Sequence, residues 1–565
     1  MHRIARQTVE LQVATDVAAR EVHAELSEAL ASRMSPVLDQ VLTDACPPEI
    51  TLRINRLEID AGIVSREQLI EAIVAAARAQ LPSRLAVLAR DDAGARDAQR
   101  TSADARVTAA GDAIDRLSEQ EVALERVAAL LGHGVVTWRD PSLTREALEA
   151  TLLGLIESAP AALRGLLQRL PAARVAVRIW AQLSVSARHQ LLGWLGVTHP
   201  ADLDVALTAW TAVLAAAEDT AGRRLVSAPG RQIGAWLHAE AWTLAVSGRL
   251  SGRSVRAMGE RIVATLAGGA APAESLAFVE LIRAAAGRLL APQSEVLSFL
   301  SETAATMERT SKTSVPGRSD VAPMDADVAV FRARNARDVS TTPGLGEERE
   351  ALGTSGQMRP APDAVGEDPH AIERARQRIA ESVDAVRRET SYRRFDAAGS
   401  EPLWAGHAGA VIVWPFLPGL FEACGLIAEK RFVDDAARER AVLLTAHLVD
   451  GATEWGEHDL LVEKTLCGCA PDAPMAAALE LRPDEQRQAT ELLASVIQYW
   501  AALKSTSVDG LRRAFLCRAG TLTAIASGWK LDIPRAGHDV LLDRLPWGIG
   551  VVLLPWMEQP LHVEW

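Results

Sequence analysis

Tyrosine and cysteine are the scarcest informative residues here, at 2 and 5 of 565, while tryptophan reaches 14. The cysteines (Cys46, Cys424, Cys467, Cys469, Cys517) are few, scattered and odd in number, which argues against a disulfide framework. A reducing, cytoplasmic setting is the simpler expectation. Met1-His2-Arg3-Ile4-Ala5-Arg6 leads into an alternating segment without an apolar core, so no signal peptide is expected. The longest strongly apolar run, Ala410 to Phe421, carries Pro415 and Pro418 and is too short to span a bilayer. Basic excess is missing as well. The net charge is -13, which disfavours sequence-independent nucleic-acid binding and docking on an anionic membrane.

Motifs that carry chemistry are equally scarce. There is no phosphate loop, no dinucleotide glycine fingerprint after a strand, no His-Glu-x-x-His and no Gly-x-Ser-x-Gly elbow. Cys467-Gly468-Cys469 with His458 and Glu457 is the best metal candidate. Its one-residue gap and the lack of a second cysteine pair fall short of a structural zinc site. Cys517 or Cys424 with a distant histidine would be a nucleophile pair, but no motif supports it. Asp434-Asp435 and Glu454/Glu457 read as surface charges. The expectation is therefore no catalytic residue, no metal, no cofactor and no enzyme.

What is present is 48% apolar and 24% charged, the balance of a soluble globular protein, with length enough for several domains. Residues 1–90 read as a βαβα module. Val9, Leu11 and Val13 alternate as on a half-buried strand. Val22, Leu26, Leu30 and Met34 share a helix face, and Ser35-Pro36 predicts a kink or a fresh helix capped by Ser35. Ile50, Leu52 and Ile54 alternate, a bulge near Asn55-Arg56 restores the phase for Leu57 and Ile59, and Ser65-x-x-Gln68 looks like a capping box.

Residues 91–115, rich in Ala, Asp, Arg, Ser and Thr, read as a linker. Residues 116–309 form an irregular helical array in which Trp138, Trp180, Trp194, Trp210, Trp236 and Trp242 pack helix pairs together. Residues 310–369 are polar and poor in apolar groups, so disorder is the default expectation. A connecting helix at 370–400 carries a thin stripe of Ile372, Ile379, Val383 and Val386. Its arginines, interleaved with acids, read as a solvated face. Residues 401–565 read as an α+β domain. Helices are predicted around 416–423, 434–449, 483–503, 508–516 and 537–543. A hairpin is predicted at 521–533, with strands at 548–554 and 561–564 completing a small sheet. The fold class is thus mainly α, with small α+β modules at both ends of the sequence.

Two stretches of the last domain are unusual. Residues 408–424 read AGAVIVWPFLPGLFEAC, and residues 543–565 read DRLPWGIGVVLLPWMEQPLHVEW, with two Leu-Pro-Trp tripeptides around an apolar run and Trp565 in last place. A large aromatic there predicts a docked segment. Arg431-Phe432-Val433-Asp434, Ala437 to Val442, Ala501 to Val508 and Gly510-Leu511-Arg512 lie between them. In this order the blocks resemble the tape-measure family of extracellular contractile injection systems, phage-tail-like particles of the antifeeding-prophage and virulence-cassette types. Arg53 to Gly62 is similar to a segment near the start of the same family, departing from it at Asn55 and Ala61. Gly132-His133-Gly134-Val135-Val136-Thr137-Trp138 loosely resembles an element of its central region.

The resemblance implies a non-enzymatic structural protein that sets tube or sheath length or nucleates tube–baseplate assembly. A cargo or effector-loading adaptor of the same particle is the alternative. The implied partners are tube and baseplate or hub proteins, with no nucleic acid and no membrane. The implied location is the cytoplasm during assembly, then the inside of the tube of the finished particle. The candidate interaction residues are Trp414, Pro415, Phe416, Leu417, Pro418, Leu545, Pro546, Trp547, Leu554, Pro555, Trp556 and Trp565, although most apolar residues of these blocks are expected to serve as core.

Overall fold

The computed structural model describes residues 33–45, 50–54, 59–90, 114–138, 144–218, 222–226, 228–250, 254–268, 272–313, 369–390, 401–475 and 480–565. The chain divides into two compact units, one of Met1–Thr208, Gly230–Ala257 and Ser382–Trp565, the other of Ala209–Pro229 and Met258–Glu381. The predicted strand at 7–13, the helix face from Val22 to Leu30, the bulge at 55–56 and nearly all of the 91–115 and 310–369 stretches lie outside the described residues.

In the first unit, helices Ser35–Ala45 and Leu69–Arg90 pack through Met34, Leu38, Ile73, Ala77 and Leu81. Ser35 is not a cap, because residues 33 and 34 are already helical. Strand β1 (Ile50–Ile54) pairs antiparallel with β2 (Ile114–Ser118), in register Ile50 to Ser118. Ile114 and Asp115 therefore belong to a strand, not to a linker. Ser118 then opens helix Glu119–Ala128 with a capping box: Glu121 N–H donates to Ser118 Oγ (3.3 Å) and Ser118 N–H to Glu121 Oε2 (2.8 Å).

Helices Arg145–Ser158, Pro160–Arg169, Ala172–Gln182, Val185–Trp194 and Gly230–Val246 follow, each closing its apolar face on neighbours. Trp236 and Trp242 are fully buried, and Trp180 stacks on His238 at 4.7 Å. In the second unit, helix Pro272–Leu289 packs on Glu295–Thr313, and Trp210 meets Phe299 edge-on at 6.2 Å. Helix Pro369–Thr390 buries Ile372, Ala375, Ile379 and Val383. Two of its arginines are not on a solvated face: Arg376 donates to the carbonyls of Arg223 and Arg224, and Arg378 to that of Leu266.

Residues 401–565 build a five-stranded sheet in the order β3 (Leu403–Ala405), β6 (Gly520–Ile525), β7 (Gly528–Asp532), β9 (Leu561–Glu564), β8 (Val551–Val552). A small hairpin, β4 (Ile427–Ala428) and β5 (Arg431–Phe432), stands apart from it. The predicted β6–β7 hairpin forms, with the two residues Ala526-Ser527 as its turn and Gly528, at φ 136°, already paired as the first residue of β7. Strand β9 runs parallel to β7, and β8 is shorter than the predicted 548–554. Helices Leu417–Ala423, Asp435–Asp450, Leu461–Leu466 and Pro483–Tyr499 cover the sheet core. Asp434 caps the second of these through Ala437 N–H (2.7 Å). The protein is mainly α, with small strand-bearing modules.

Candidate interaction surface

Ala408–Phe416 forms a 3-10 helix of wholly apolar residues, and Ala408 to Val413 are all buried. It can lie this deep because of Gly409: a Cβ there would sit 1.8 Å from the Phe515 carbonyl oxygen. The 543–565 block closes over it through reciprocal indole bonds. Trp547 Nε1 donates to the Ile412 carbonyl and Trp414 Nε1 to the Gly548 carbonyl, both at 2.9 Å. Trp556 Nε1 donates to the Leu466 carbonyl (2.8 Å), and its ring packs on Phe421 and Phe432 at 5.5 and 5.0 Å. Trp565 Nε1 donates to Asp539 Oδ2 (2.9 Å), while the Arg518 guanidinium lies over its ring at 5.3 Å. A buried indole N–H left without an acceptor is costly, so each bond fixes where its block sits.

These contacts bring the two blocks together and leave specific faces outward. Leu417, Leu554 and Trp556 are buried, Trp414, Pro415, Phe416, Pro418, Leu545, Trp547 and Trp565 are half-buried, and Pro546 and Pro555 are exposed. Along 551–556 the side chains alternate: Val552, Leu554 and Trp556 face the core, whereas Val551 and Leu553 are each 56% exposed. Phe416 bridges Trp547 (5.0 Å) and the exposed Tyr499 (6.1 Å).

Beneath this surface lies a charged cluster that sequence reasoning missed. Arg178, 1% exposed, donates to the Leu131 and Gly132 carbonyls (3.1 and 2.7 Å), to the Asp472 carbonyl (2.6 Å) and to both oxygens of Glu457. Lys464 Nζ reaches Glu457 Oε1 at 2.8 Å, and Arg174 pairs with Asp472. Glu457 is therefore not a surface charge. Burial raises its pKa, but Arg178 and Lys464 outweigh burial and hold it below the usual carboxylate range. Burial depresses Lys464, with Glu457 opposing it, and burial likewise depresses His133.

The Gly132–Trp138 element wraps this cluster. Gly134 has φ 67°, and a Cβ there would stand 2.0 Å from Glu457 Oε1. Val135 and Val136 are buried. Trp404 N–H donates to the Val136 carbonyl (2.8 Å) and Trp138 N–H to the Pro402 carbonyl (3.1 Å), so the element extends the sheet beside β3. The visible clues were charges inside apolar runs: Arg174 and Arg178, one turn apart in AARVAVRIWAQ, and Glu463-Lys464 within LVEKTL.

A second polar centre joins His407 to Glu463 (2.6 Å) and Asp450 (3.5 Å). Burial opposes the charged ring, but Glu463 and then Asp450 overcome it and raise the pKa to about 9. Cys424 and Cys467 are buried in the core, Cys469 is half-buried and Cys517 is exposed. Burial pushes Cys467 well above the thiol range and Cys469 and Cys424 to about 11, which favours the neutral thiol in each. Glu457 is committed to its two cations. Among the described residues no group of three or more His, Cys, Asp or Glu is placed to hold a metal ion. No single described helix is long and apolar enough to cross a membrane.

No curated protein and no solved structure matches this chain. One family model does, the contractile injection system tape measure protein, over residues 1–565, and the chain belongs to that family.

Proposed function

We propose that the protein acts in tube assembly of a contractile injection particle, nucleating the tube–baseplate junction or setting tube length. It does so without catalysis, through protein surfaces. The observation that carries this reading is the family match along the entire chain. The fold favours nucleation over a rigid-rod ruler. The longest described helices have 22 residues, so at about 1.5 Å per residue each spans on the order of 33 Å. Length control by extension would need another conformation.

The partners proposed are tube and baseplate or hub proteins, with assembly in the cytoplasm. The outward faces of the 408–424 and 543–565 blocks, with Pro546, Val551, Leu553 and Pro555, are the proposed contacts. Electron microscopy of particles from a strain lacking this chain tests the reading. Absent particles, or tubes of scattered length, are expected. Normal numbers of uniform tubes would overturn it and leave a cargo-loading adaptor as the better account.

A further inference from the structure

The five-stranded sheet ends differently at its two edges. At β3 the edge is closed, because Trp404 N–H donates to the Val136 carbonyl and Trp138 N–H to the Pro402 carbonyl. Beyond β8 no described strand follows. The β8–β9 register shows which groups this leaves open. Val563 N–H donates to the Gly550 carbonyl (2.9 Å), while Val551 stands opposite His562 and Val552 opposite Leu561. In an antiparallel pair the bonded positions alternate. Gly550 and Val552 therefore turn their main-chain groups to β9, and Val551 turns its N–H and C=O outward.

This edge is held in place but unguarded. Trp414 Nε1 fixes the Gly548 carbonyl before it (2.9 Å), and Met557 N–H closes a turn on the Leu554 carbonyl after it (2.9 Å). The side chains of Val551 and Leu553 are each 56% exposed. From Leu545 to Met557 no residue is charged, and no proline stands between Pro546 and Pro555. Lysine or proline on the strand is a common guard against pairing with another chain. Here the guard is shortness alone, since β8 is Val551–Val552.

We propose that the outer edge of β8 takes an extended segment of a tube or baseplate protein as an added strand. An outward N–H and C=O on one residue are satisfied together by another extended main chain, whereas a helix bonds its own groups internally. Val551 and Leu553 call for apolar residues on the matching side of that segment, and the uncharged stretch from Leu545 to Met557 calls for no charge within it. A second copy of this chain fits less well. So short an edge buries far less than the roughly 1,200–2,000 Å² of a stable complex. A segment already held close by the growing particle does not need that area, because its effective concentration is high. The proposal rests on the assembly role given above.

Full-length wild type is compared with Val551→Pro, Val551→Thr and V551K/L553K. Each is read by thermal melting, by pull-down of purified tube and baseplate proteins, and by particle counts in the producing strain. Proline removes the outward N–H and no bond to β9. Val551→Pro should therefore melt within a few degrees of wild type, yet lose pull-down and give several-fold fewer particles. V551K/L553K should do the same. Threonine keeps the N–H and the strand preference, so Val551→Thr should assemble as wild type does. The Val551 amide should exchange with deuterated water several-fold more slowly in the pulled-down complex than in the free chain. If Val551→Pro melts far lower, V551K/L553K and the exchange rate decide. Unchanged exchange, a wild-type chain that retains neither protein, or wild-type counts from V551K/L553K where deleting the chain abolishes particles would each overturn the added strand. So would equal losses from Val551→Thr and Val551→Pro, which would make the edge an ordinary apolar contact. A dimer of the pure chain that Val551→Pro dissolves would put a second copy there instead. Normal particles after deletion would overturn the assembly reading, and this inference with it.

Discussion

Trp236 in the helical array and Trp556 in the 401–565 module are both buried, at 1% and 9% exposed, but they are held differently. The indole N–H of Trp236, like that of Trp210, meets no acceptor among the described residues. Those of Trp414, Trp500, Trp547, Trp556 and Trp565 all donate, four of them to a main-chain carbonyl. Trp210 and Trp236 therefore serve as volume, which an irregular apolar interior accepts in several arrangements, although Trp180 of the same array donates to Asp204 Oδ1 (3.0 Å). The module uses tryptophan as a bolt with one acceptor. Buried charge joins the two regions instead, since Arg174 and Arg178 of the array are buried together with Glu457, Lys464 and Asp472 of the module. Such groups give little net stability, but removing one partner and leaving the other buried is costly.

The largest break in the comparison should come from Arg178→Met. It leaves Glu457 with one cation and removes the guanidinium donor of the Leu131 and Gly132 carbonyls, at a cost of about 3–5 kcal/mol, read by urea unfolding. An apolar truncation of similar depth in the second unit, Ile282→Val, should cost about 1 kcal/mol.

Titration sharpens the contrast from two sides. His407 has its pKa raised from 6.5 to about 9, so its stabilisation is complete below pH 6.5 and is lost as pH rises through 9. His238, stacked on Trp180 inside the array, is depressed to about 4 by burial. Its contribution is complete above pH 6.5 and is lost as pH falls through 4. Each is of order 3 kcal/mol at most. Unfolding free energy measured against pH should therefore fall on both sides of a maximum near 6.5. His407→Gln should flatten the alkaline limb without touching the acid one.

Gly134→Ala should cost about 1–3 kcal/mol from its left-handed backbone, before any displacement of Glu457 is counted. The smallest effect separates the two kinds of tryptophan. Trp556→Phe should destabilise by about 1 kcal/mol more than Trp236→Phe, because it also orphans the Leu466 carbonyl. Equal costs would mean that the indole bonds do not select position.

The sequence showed much of this fold wherever the pattern was local. The 521–533 hairpin, the Asp435–Asp450 helix and the Ile372–Val383 stripe follow from periodicity and caps within a few residues. The family was legible because the 408–424 and 543–565 blocks are uncommon in composition. Strand β2 was not, since Ile114-Asp115 carries no strand signal without its partner β1, about sixty residues earlier in the chain. Nor was the ion cluster legible. Arg178 and Glu457 are 279 residues apart, and a lone acid in a polar loop has the composition of a surface charge until the fold buries it. Gly134 was visible only as part of a loose resemblance, and its contact with Glu457 explains why glycine stands there.

A double-mutant cycle on Arg178 and Glu457 tests most directly whether buried charge pairing defines the module. Arg178→Met, Glu457→Leu and the double variant would be unfolded in urea beside the wild type. The account predicts that the double variant loses about 1–3 kcal/mol less than the sum of the singles. Additivity within about 0.5 kcal/mol would contradict it.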